Sequence, residues 1–346
     1  MRDALFRRLL PLGASLSLVL GPLAAQAVRA LPRSATDAYA GATAFGIPTT
    51  PFRAQYWFAS ENLPPVQVVN AIGVRLARAA GSAAQTRVVE IAVADTPVAF
   101  GAVTASFANN LGPAPVTFLA PRSVAFPAIA ASADPNVAAA WFPGDAPFVH
   151  VGQHFVVDFK VGTASGGAFV RNDGFVMAPA SADTLHLAGR ASCGGVLRGA
   201  WSSGVFTLSA SGLPASVPVS FNLGFENVEQ GALRLPFDLG VIGMPGCHLA
   251  VIPVVAAQLS ASAAGTASLA LNVALPVGST LMLSAQLMHP RVALPQQIAD
   301  YATSNAVHSS FGVAGLCNAL FAGSDTATLA TAGPQPVNNA IVLLLQ

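Results

Sequence analysis

Three segments in the first half of the chain alternate apolar and polar residues with a period close to two. They are residues 66–74, 87–93 and 154–161, all rich in Val, Ile or Phe. Alternation of this kind predicts half-buried β-strands. Turn-forming residues interrupt the pattern at 62–65 (Asn-Leu-Pro-Pro) and 95–97 (Asp-Thr-Pro), as expected of loops between strands.

A second group of strand-like segments begins after Cys193. Its members are short, apolar and separated by Gly and Pro: residues 204–210, 217–224, 248–255, 267–276, 280–287 and 339–344. The one helix that the pattern predicts is a turn or two at residues 295–301. Because strands follow one another without alternating helices, the expected fold class is all-β, with two antiparallel β-sandwich (jelly-roll-like) domains.

The boundary between the two domains is expected at residues 177–183, a small, polar, proline-bearing segment typical of a linker. We therefore predict an N-terminal β-sandwich over residues 28–182 and a C-terminal β-sandwich over residues 183–346. Residues 338–346 are too short to cross a bilayer as a helix. They are expected to form the strand that closes the second sandwich.

The first 27 residues have the pattern of a secretory signal peptide. Arg2, Arg7 and Arg8 precede an uncharged segment over residues 9–25, which ends in small residues. This order predicts cleavage near Val28, so the mature protein is expected to be secreted or periplasmic and associated with the cell envelope. It would then have no membrane span. The alternatives are a retained membrane anchor and, from the paired arginines, twin-arginine export.

Charge is scarce: 9% of the residues are charged and 53% are hydrophobic. A β-protein can cover its outer faces with Ser, Thr, Ala and Gly, and the 31 Gly and 26 Pro favour many turns. The 16 basic and 15 acidic residues form no basic patch. This distribution excludes nucleic acid and an anionic membrane surface as main partners.

The cysteines are Cys193, Cys247 and Cys317, an odd number for an exported chain. Exported proteins usually pair their cysteines, so the simplest account is one disulfide and one remaining thiol. Cys193 and Cys247 both adjoin glycines, where two backbones can approach closely enough for a bridge. Their bridge would close a loop of about 54 residues, which contributes about 4 kcal/mol in the chain-entropy model. Cys317 is then either buried or free.

Short turn and strand motifs recur through the second half. They are Cys193-Gly194, Leu223-Gly224, Pro245-Gly246-Cys247, Leu275-Pro276 and a closing Asn-Ala step at 304–306 or 338–340. In these motifs the chain resembles a module of uncharacterised exported proteins from planctomycetes and similar GC-rich bacteria. Through residues 53–56 and 66–76, the first half resembles the β-sandwich that often precedes that module. The resemblance implies two β-sandwich modules and a Cys193 to Cys247 bridge, and it brings no activity and no catalytic residues.

Two aromatic clusters are candidates for ligand contact. Tyr56 and Trp57 are adjacent in the first, and Trp141 adjoins Phe142 in the second. An exposed aromatic ring can stack on the apolar face of a sugar, so Tyr56, Trp57 and Trp141 are candidate ligand-facing residues. The alternative is that these rings belong to the core of a sandwich.

A zinc site is a weaker candidate. His150 and His154 have a zinc spacing only on a helix, whereas on a strand their side chains lie roughly 13 Å apart. Only a sharp bend at Gly152 would bring them together. We therefore expect two unrelated histidines and no metal.

Carboxylates are the remaining candidates for chemistry. Glu226 and Glu229 form the closest pair, which suits either glycoside hydrolysis or a solvated turn, and we favour the turn. Acidic residues at 134–136, 145 and 172–174 suit either calcium ligation or Asx turns. We expect no cofactor, with calcium in these loops as the alternative.

These observations predict a non-catalytic β-sandwich protein, secreted or of the cell envelope, with a structural or adhesive, binding role. The expected kind of partner is a cell-surface glycan or another envelope protein. The first alternative is a carbohydrate-binding protein. The others are an outer-membrane β-barrel and a secreted hydrolase whose site is assembled from distant loops.

Overall fold

A computed structural model describes residues 28–35, 42–47, 50–75, 83–128, 130, 137–163, 170–176, 184–225, 228–230, 233–274, 281–292, 295–311, 317–336, 338–341 and 343–346. The predicted signal peptide and the predicted linker at 177–183 lie outside these residues. No helix within them is long and apolar enough to cross a membrane.

The described residues are mostly β-strand, which confirms the all-β prediction. Those of the first half are β1 (Arg29–Leu31), β2 (Ala42–Ile47), β3 (Phe52–Phe58), β4 (Gln67–Arg75), β5 (Gln85–Thr96), β6 (Val116–Phe126), β7 (Ala138–His150), β8 (His154–Val161) and β9 (Val170–Val176). The three segments with a two-residue period became β4, β5 and β8.

The strands of the second half are shorter on average. They are β10 (Thr184–Ala188), β11 (Val196–Ser202), β12 (Val205–Ser211), β13 (Pro218–Gly224), β14 (Glu229–Gln230), β15 (Leu233–Arg234), β16 (Phe237–Asp238), β17 (His248–Leu249), β18 (Val255–Ser260), β19 (Ala267–Asn272), β20 (Leu281–Pro290), β21 (Tyr301–Phe311), β22 (Cys317–Ala322), β23 (Ala332–Pro336), β24 (Asn338–Ile341) and β25 (Leu343–Leu345).

Helical structure in the described residues is limited to single turns. One is an α-turn, α1 (Phe107–Asn110), whose first turn is capped by the side chain of Ser106. The others are 3₁₀ turns at Arg33–Ala35, Ser60–Asn62, Phe100–Ala102, Leu239–Ile242 and Ile298–Asp300. The last of these lies within the segment predicted to hold a turn or two of helix.

The larger sheets are antiparallel and fall into two groups. The first group has the strand orders β23-β22-β3-β8-β5-β6, β1-β25-β4-β7 and β2-β9-β24. The second has the orders β10-β21-β20-β13-β18 and β11-β12-β19, with two small ribbons, β14-β15 and β16-β17.

Each group has its own hydrophobic cluster, in a sandwich-like arrangement. One cluster joins the six-stranded sheet to the four-stranded sheet, for example through Phe159 of β8 and Ile72 of β4. The other joins the five-stranded sheet to β11-β12-β19, for example through Phe221 and Phe206. Apolar side chains on facing sheets are thereby removed from water together.

The last strands of the chain return to the first group. β25 pairs with β1 and β4, and β22 pairs with β3. The prediction that residues 338–346 close the second group is therefore wrong, whereas residues 304–306 lie within β21 of that group. Leu343, Leu344 and Leu345 are almost completely buried in the first cluster, and this burial favours the long return.

The segment predicted as one strand at 248–255 also differs. Residues 248–249 form β17 and residue 255 begins β18, with no strand between them. There the Ala250 N–H donates to the side chain of Gln286 instead of a neighbouring strand. Ala250 and Val251 are buried, whereas Val254 and Val255 are exposed, so the apolar residues of this segment do not form one continuous strand.

Candidate functional site

The six-stranded sheet presents two chemically different faces. On β3, the even-numbered residues 52–58 pack into the first hydrophobic cluster, and Arg53, Gln55 and Trp57 point to the opposite side. On β8, Asp158 and Lys160 lie on that same outer side. The alternation therefore collects polar and charged groups on one face of two adjacent strands.

One end of this outer face is covered by a third layer of chain. Trp57 packs there with Val103, Phe107 and Leu111 from the segment around α1. The Trp57 Nε1–H donates to the carbonyl of Val98 over 2.8 Å, so the polar atom of the buried indole is satisfied. The covering segment closes the outer face at this end.

A buried polar network lies beside this apolar layer. The Gln55 Nε2 group donates to the Phe107 carbonyl at 2.9 Å and to an Asp158 oxygen at 3.2 Å. The Asn110 amide donates to Gln55 Oε1 at 2.9 Å. Gln55, Asn110 and Asp158 are at most 1% exposed. Buried polar groups need such partners, and these bonds attach α1 to the sheet.

Arg53 forms the outer edge of the network. Its Nε and Nη2 groups donate to the two oxygens of Asp158 at 3.0 and 2.6 Å, a bidentate ion pair. Its Nη1 group donates to the Ala327 carbonyl at 2.7 Å, and its guanidinium lies 4.4 Å from the centre of the Phe107 ring. Contacts on several sides hold this cation in one position.

The other end of the outer face opens into a cleft of about 420 Å³, which we call the charged cleft. Its polar lining consists of Arg53, Glu90, Lys160, Asp325, Thr326 and Thr328, and Val88 and Pro121 add apolar wall.

The strand register explains why these charges meet. Arg53 is the cross-strand partner of Lys160, and Lys160 is the cross-strand partner of Glu90. Directly opposed residues of antiparallel strands have neighbouring side chains. The Lys160 Nζ group donates to a Glu90 oxygen at 2.7 Å, and both side chains remain partly exposed, at 34% and 26%.

Asp325 completes the cleft from a loop. Within the described part of the chain its carboxylate has no hydrogen bond or ion pair. The loop is positioned by the bond from Arg53 to Ala327, and Gly162 lines the cleft near it, where a Cβ atom would be in ordinary contact with an Asp325 oxygen at 4.0 Å. The cleft thus offers an ammonium, an uncommitted carboxylate and hydroxyls on a fixed sheet.

The predicted aromatic candidates lie elsewhere. Trp57 is 1% exposed and Tyr56 is 6% exposed, on opposite faces of β3, so neither ring offers a face to a ligand. Burial raises the pKa of the Tyr56 phenol. Trp141 is half-buried and packs over Gly73, where a Cβ atom would lie 2.9 Å from the ring. Tyr56 and Trp57 therefore belong to the interior of the protein, as in the alternative given above, because neighbouring apolar residues enclose both rings.

The two histidines of the proposed zinc spacing have separate partners. His150 Nδ1 lies 2.5 Å from an Asp95 oxygen, whereas His154 Nδ1 accepts the Ser60 N–H at 3.1 Å. Gly152 does bend the chain between them, with φ of +80°. Across the described residues, no group of three or more His, Cys, Asp or Glu side chains is arranged to hold a metal ion.

The carboxylate candidates are only partly described. Glu226 and residues 134–136 lie outside the described residues, as do the side chains of Glu229 and residues 172–174. Asp145 is described: its two oxygens accept from the Ala120 N–H and from Arg122, each at 2.7 Å. Its oxygens therefore already have protein partners on the strand edge.

The Cys193 to Cys247 disulfide is confirmed, with the two Cα atoms 4.6 Å apart. It packs with Leu239 and Met244 in a small cluster, and Cys193 Sγ accepts the Thr303 N–H at 3.2 Å. Cys317 is buried and free, and burial raises the pKa of its thiol. The bridge joins two residues of the second group, and neither of them lines the charged cleft.

No protein-family model matches this chain, and no curated protein matches it significantly. The geometry of the described residues is therefore the basis for the functional conclusion.

The charged cleft was not predicted from the sequence. A usable signal was present: Arg53, Asp158 and Lys160 occupy alternate positions of strands in a chain with only 9% charged residues, and Lys160 is its single lysine. What the sequence did not show is that β3, β8 and β5 are neighbours, which is a long-range property of the fold.

Proposed function

We propose that this chain is an exported, non-catalytic protein of the cell envelope or the extracellular medium, with an adhesive role exercised through binding. The observation that carries this proposal is the charged cleft, whose cation Arg53 is fixed by a buried network on a rigid sheet. Rigid placement of recognition groups lowers the entropy lost on binding.

Export is supported by two independent features. The first 27 residues have the cationic, apolar and small-residue order of a signal peptide, and the Cys193 to Cys247 disulfide suits an oxidising compartment. For the architecture we propose two β-sandwich modules. The strand pairings and all but one member of the two hydrophobic clusters support a first module of residues 28–176 with 317–346, and a second of residues 184–311; the exception is Leu187 of the second, which packs in the first cluster.

Binding is favoured over catalysis by the cleft's composition. The described residues that line it include no His, Ser or Cys, and its Glu90 is engaged by Lys160. Burial lowers the pKa of both His186 and His308 to about 4, so these imidazoles are neutral at physiological pH, and they lie in the second group. A nucleophile with an adjacent base is the usual requirement for covalent hydrolysis.

Expression of the full chain in a diderm bacterium, followed by cell fractionation, tests the export half. We expect the protein outside the cytoplasm, with a mature N-terminus near Val28 by mass spectrometry. After unfolding without reductant, one thiol, Cys317, should react with a maleimide. A cytoplasmic, uncleaved chain with three reactive thiols would overturn the proposal.

A panel of glycosidase and esterase substrates tests the non-catalytic half. We expect no turnover above that of a Glu90→Gln variant purified in the same way. Turnover that disappears in Glu90→Gln or Asp325→Asn would show instead that the two carboxylates of the cleft act as a hydrolytic pair.

A further inference from the structure

We propose that the charged cleft binds a neutral carbohydrate, a mono- or disaccharide unit of a larger glycan. This inference rests on the proposed binding function and adds the chemical class of the ligand. The inferred carbohydrate site is this cleft, whose described lining contains no aromatic ring, and not the buried Tyr56 and Trp57.

The charge of the site selects for a neutral ligand. Arg53 is neutralised by Asp158, and Lys160 by Glu90, while Asp325 adds one negative charge. An anion would gain no net attraction here and would face Asp325. A cation could pair only with Asp325 among the described carboxylates of the cleft, because Glu90 and Asp158 are already paired, and it would leave the Lys160 donors unused. A neutral polyhydroxyl ligand can use the Lys160 donors and the Asp325 acceptors together.

The hydrogen-bonding groups suit hydroxyls. An ammonium has three donors, and Lys160 commits one of them to Glu90, which leaves two for a ligand. Asp325 supplies acceptors, and Thr328 supplies a hydroxyl that can donate or accept. A sugar hydroxyl both donates and accepts, so neighbouring hydroxyls can bridge Lys160 and Asp325, each to a charged partner.

The remaining wall and the size of the cleft fit the same class. Val88, which is 50% exposed, and Pro121 both line the cleft, so the two offer apolar surface to the C–H groups of a sugar ring. A volume of about 420 Å³ is at the small end of the range of ligand pockets.

A glycan array probed with the mature full-length protein tests the inference. The array carries neutral β- and α-linked glucans, mannans, galactans and chitin oligomers, together with uronic acid oligomers and deacetylated amino sugars. We expect binding to one neutral series, which is then measured by calorimetry with the free disaccharide of that series. Binding only to the acidic or only to the amino sugars would overturn the neutral-ligand inference.

Matched variants locate the site. Lys160→Met and Asp325→Asn should each weaken binding about tenfold or more, because each removes a charged hydrogen-bond partner. Arg122→Gln is the control, since Arg122 of β6 pairs with Asp145 of β7 and neither residue lines the cleft, and this variant should bind as the wild type does. Circular dichroism and thermal melting confirm that every variant is folded.

The outcomes separate this inference from the proposed function. Glycan binding that survives Lys160→Met and Asp325→Asn but is lost in Trp141→Ala would place the site on the aromatic surface and refute the cleft. Binding of no glycan, together with saturable binding to an envelope protein, would refute the carbohydrate and leave the adhesive role intact. Turnover of a bound glycan would refute the non-catalytic role.

Discussion

Two buried polar networks in this protein occupy equivalent positions and differ in charge. Each lies on the face of a large sheet that points away from that sheet's hydrophobic cluster. On the six-stranded sheet the network contains an ion pair, Arg53 with Asp158. On the five-stranded sheet it is built from neutral groups, with Ser284 Oγ 2.9 Å from His308 Nδ1.

The neutral network also includes a fully engaged amide. Gln286 donates to the carbonyls of His248 and Ser304 at 2.8 and 2.9 Å and accepts the Ala250 N–H at 2.9 Å. It therefore holds the segment next to Cys247 against the sheet. Its role is to join layers.

This difference shows where the chain, which has few charged residues, buries an ion pair. A buried ion pair contributes little net stability compared with apolar residues of the same shape, because both ions lose their hydration. The neutral network shows that this chain can attach a covering layer without ions. The ion pair adjoins the charged cleft, and the neutral network does not. We infer that charge is buried on the six-stranded sheet to position Arg53 for the cleft.

The largest expected loss of stability comes from replacing Asp158, the buried carboxylate of the ionic network. Asp158→Asn should lower the free energy of unfolding by about 3 kcal/mol, because it leaves the Arg53 guanidinium, only 12% exposed, without its counterion. Urea unfolding followed by tryptophan fluorescence measures the loss.

The matched control for that substitution is Asp145→Asn. Asp145 pairs with Arg122 on the surface, where the side chains are 39% and 46% exposed, so the expected loss is below about 1 kcal/mol. Equal losses in the two variants would contradict the distinction between a buried and a solvated pair.

Protonation of the neutral network is expected to lower the stability of the fold. Burial lowers the pKa of His308 from 6.5 to about 4, so between these values the unfolded chain binds more protons than the folded one. Stability should therefore fall as pH falls through this window, by about 2 kcal/mol from pH 7.5 to pH 5 for this residue alone. The half-buried His186, whose pKa is lowered by the same cause, acts in the same direction.

Urea midpoints at pH 7.5 and pH 5 test this expectation. The comparison is with His308→Asn, which keeps a hydrogen-bonding group near Ser284 and cannot titrate. The variant should lose part of the pH dependence, whatever its stability at pH 7.5. An unchanged pH dependence would show that His308 does not control it.

The positions of the strands could be predicted from the sequence better than the pairing of one strand with another. The two-residue period is a local signal, and the structure confirms strands β4, β5 and β8 at these positions. The expected half-burial describes most of β5, whereas most of β8 and the second half of β4 are buried on both faces. The return of Leu343, Leu344 and Leu345 to β1 and β4 was not predictable, because three apolar residues fit either group and strand partners are set by long-range packing.

The candidate site was harder still to predict. Both faces of β3 are buried at its Trp57 end, one by the first hydrophobic cluster and one by the segment around α1. The spacing of apolar residues along β3 therefore does not show which face packs in the core and which is covered by α1. The conspicuous aromatic pair Tyr56 and Trp57 belongs to these two interiors. The less conspicuous Arg53, on the same strand, reaches the cleft.

The smallest expected effect comes from the second ion pair of the cleft. Lys160→Met should change the free energy of unfolding by less than about 1 kcal/mol, because Lys160 and Glu90 stay partly hydrated whether or not they are paired. The same unfolding assay measures this change, and Glu90→Gln provides the reciprocal variant. Within one cleft, Arg53 would then be structurally fixed, and Lys160 would keep two ammonium donors for a ligand while it stays paired with Glu90. A loss as large as that of Asp158→Asn would mean that Lys160 also supports the fold, and that its charge is not reserved for binding.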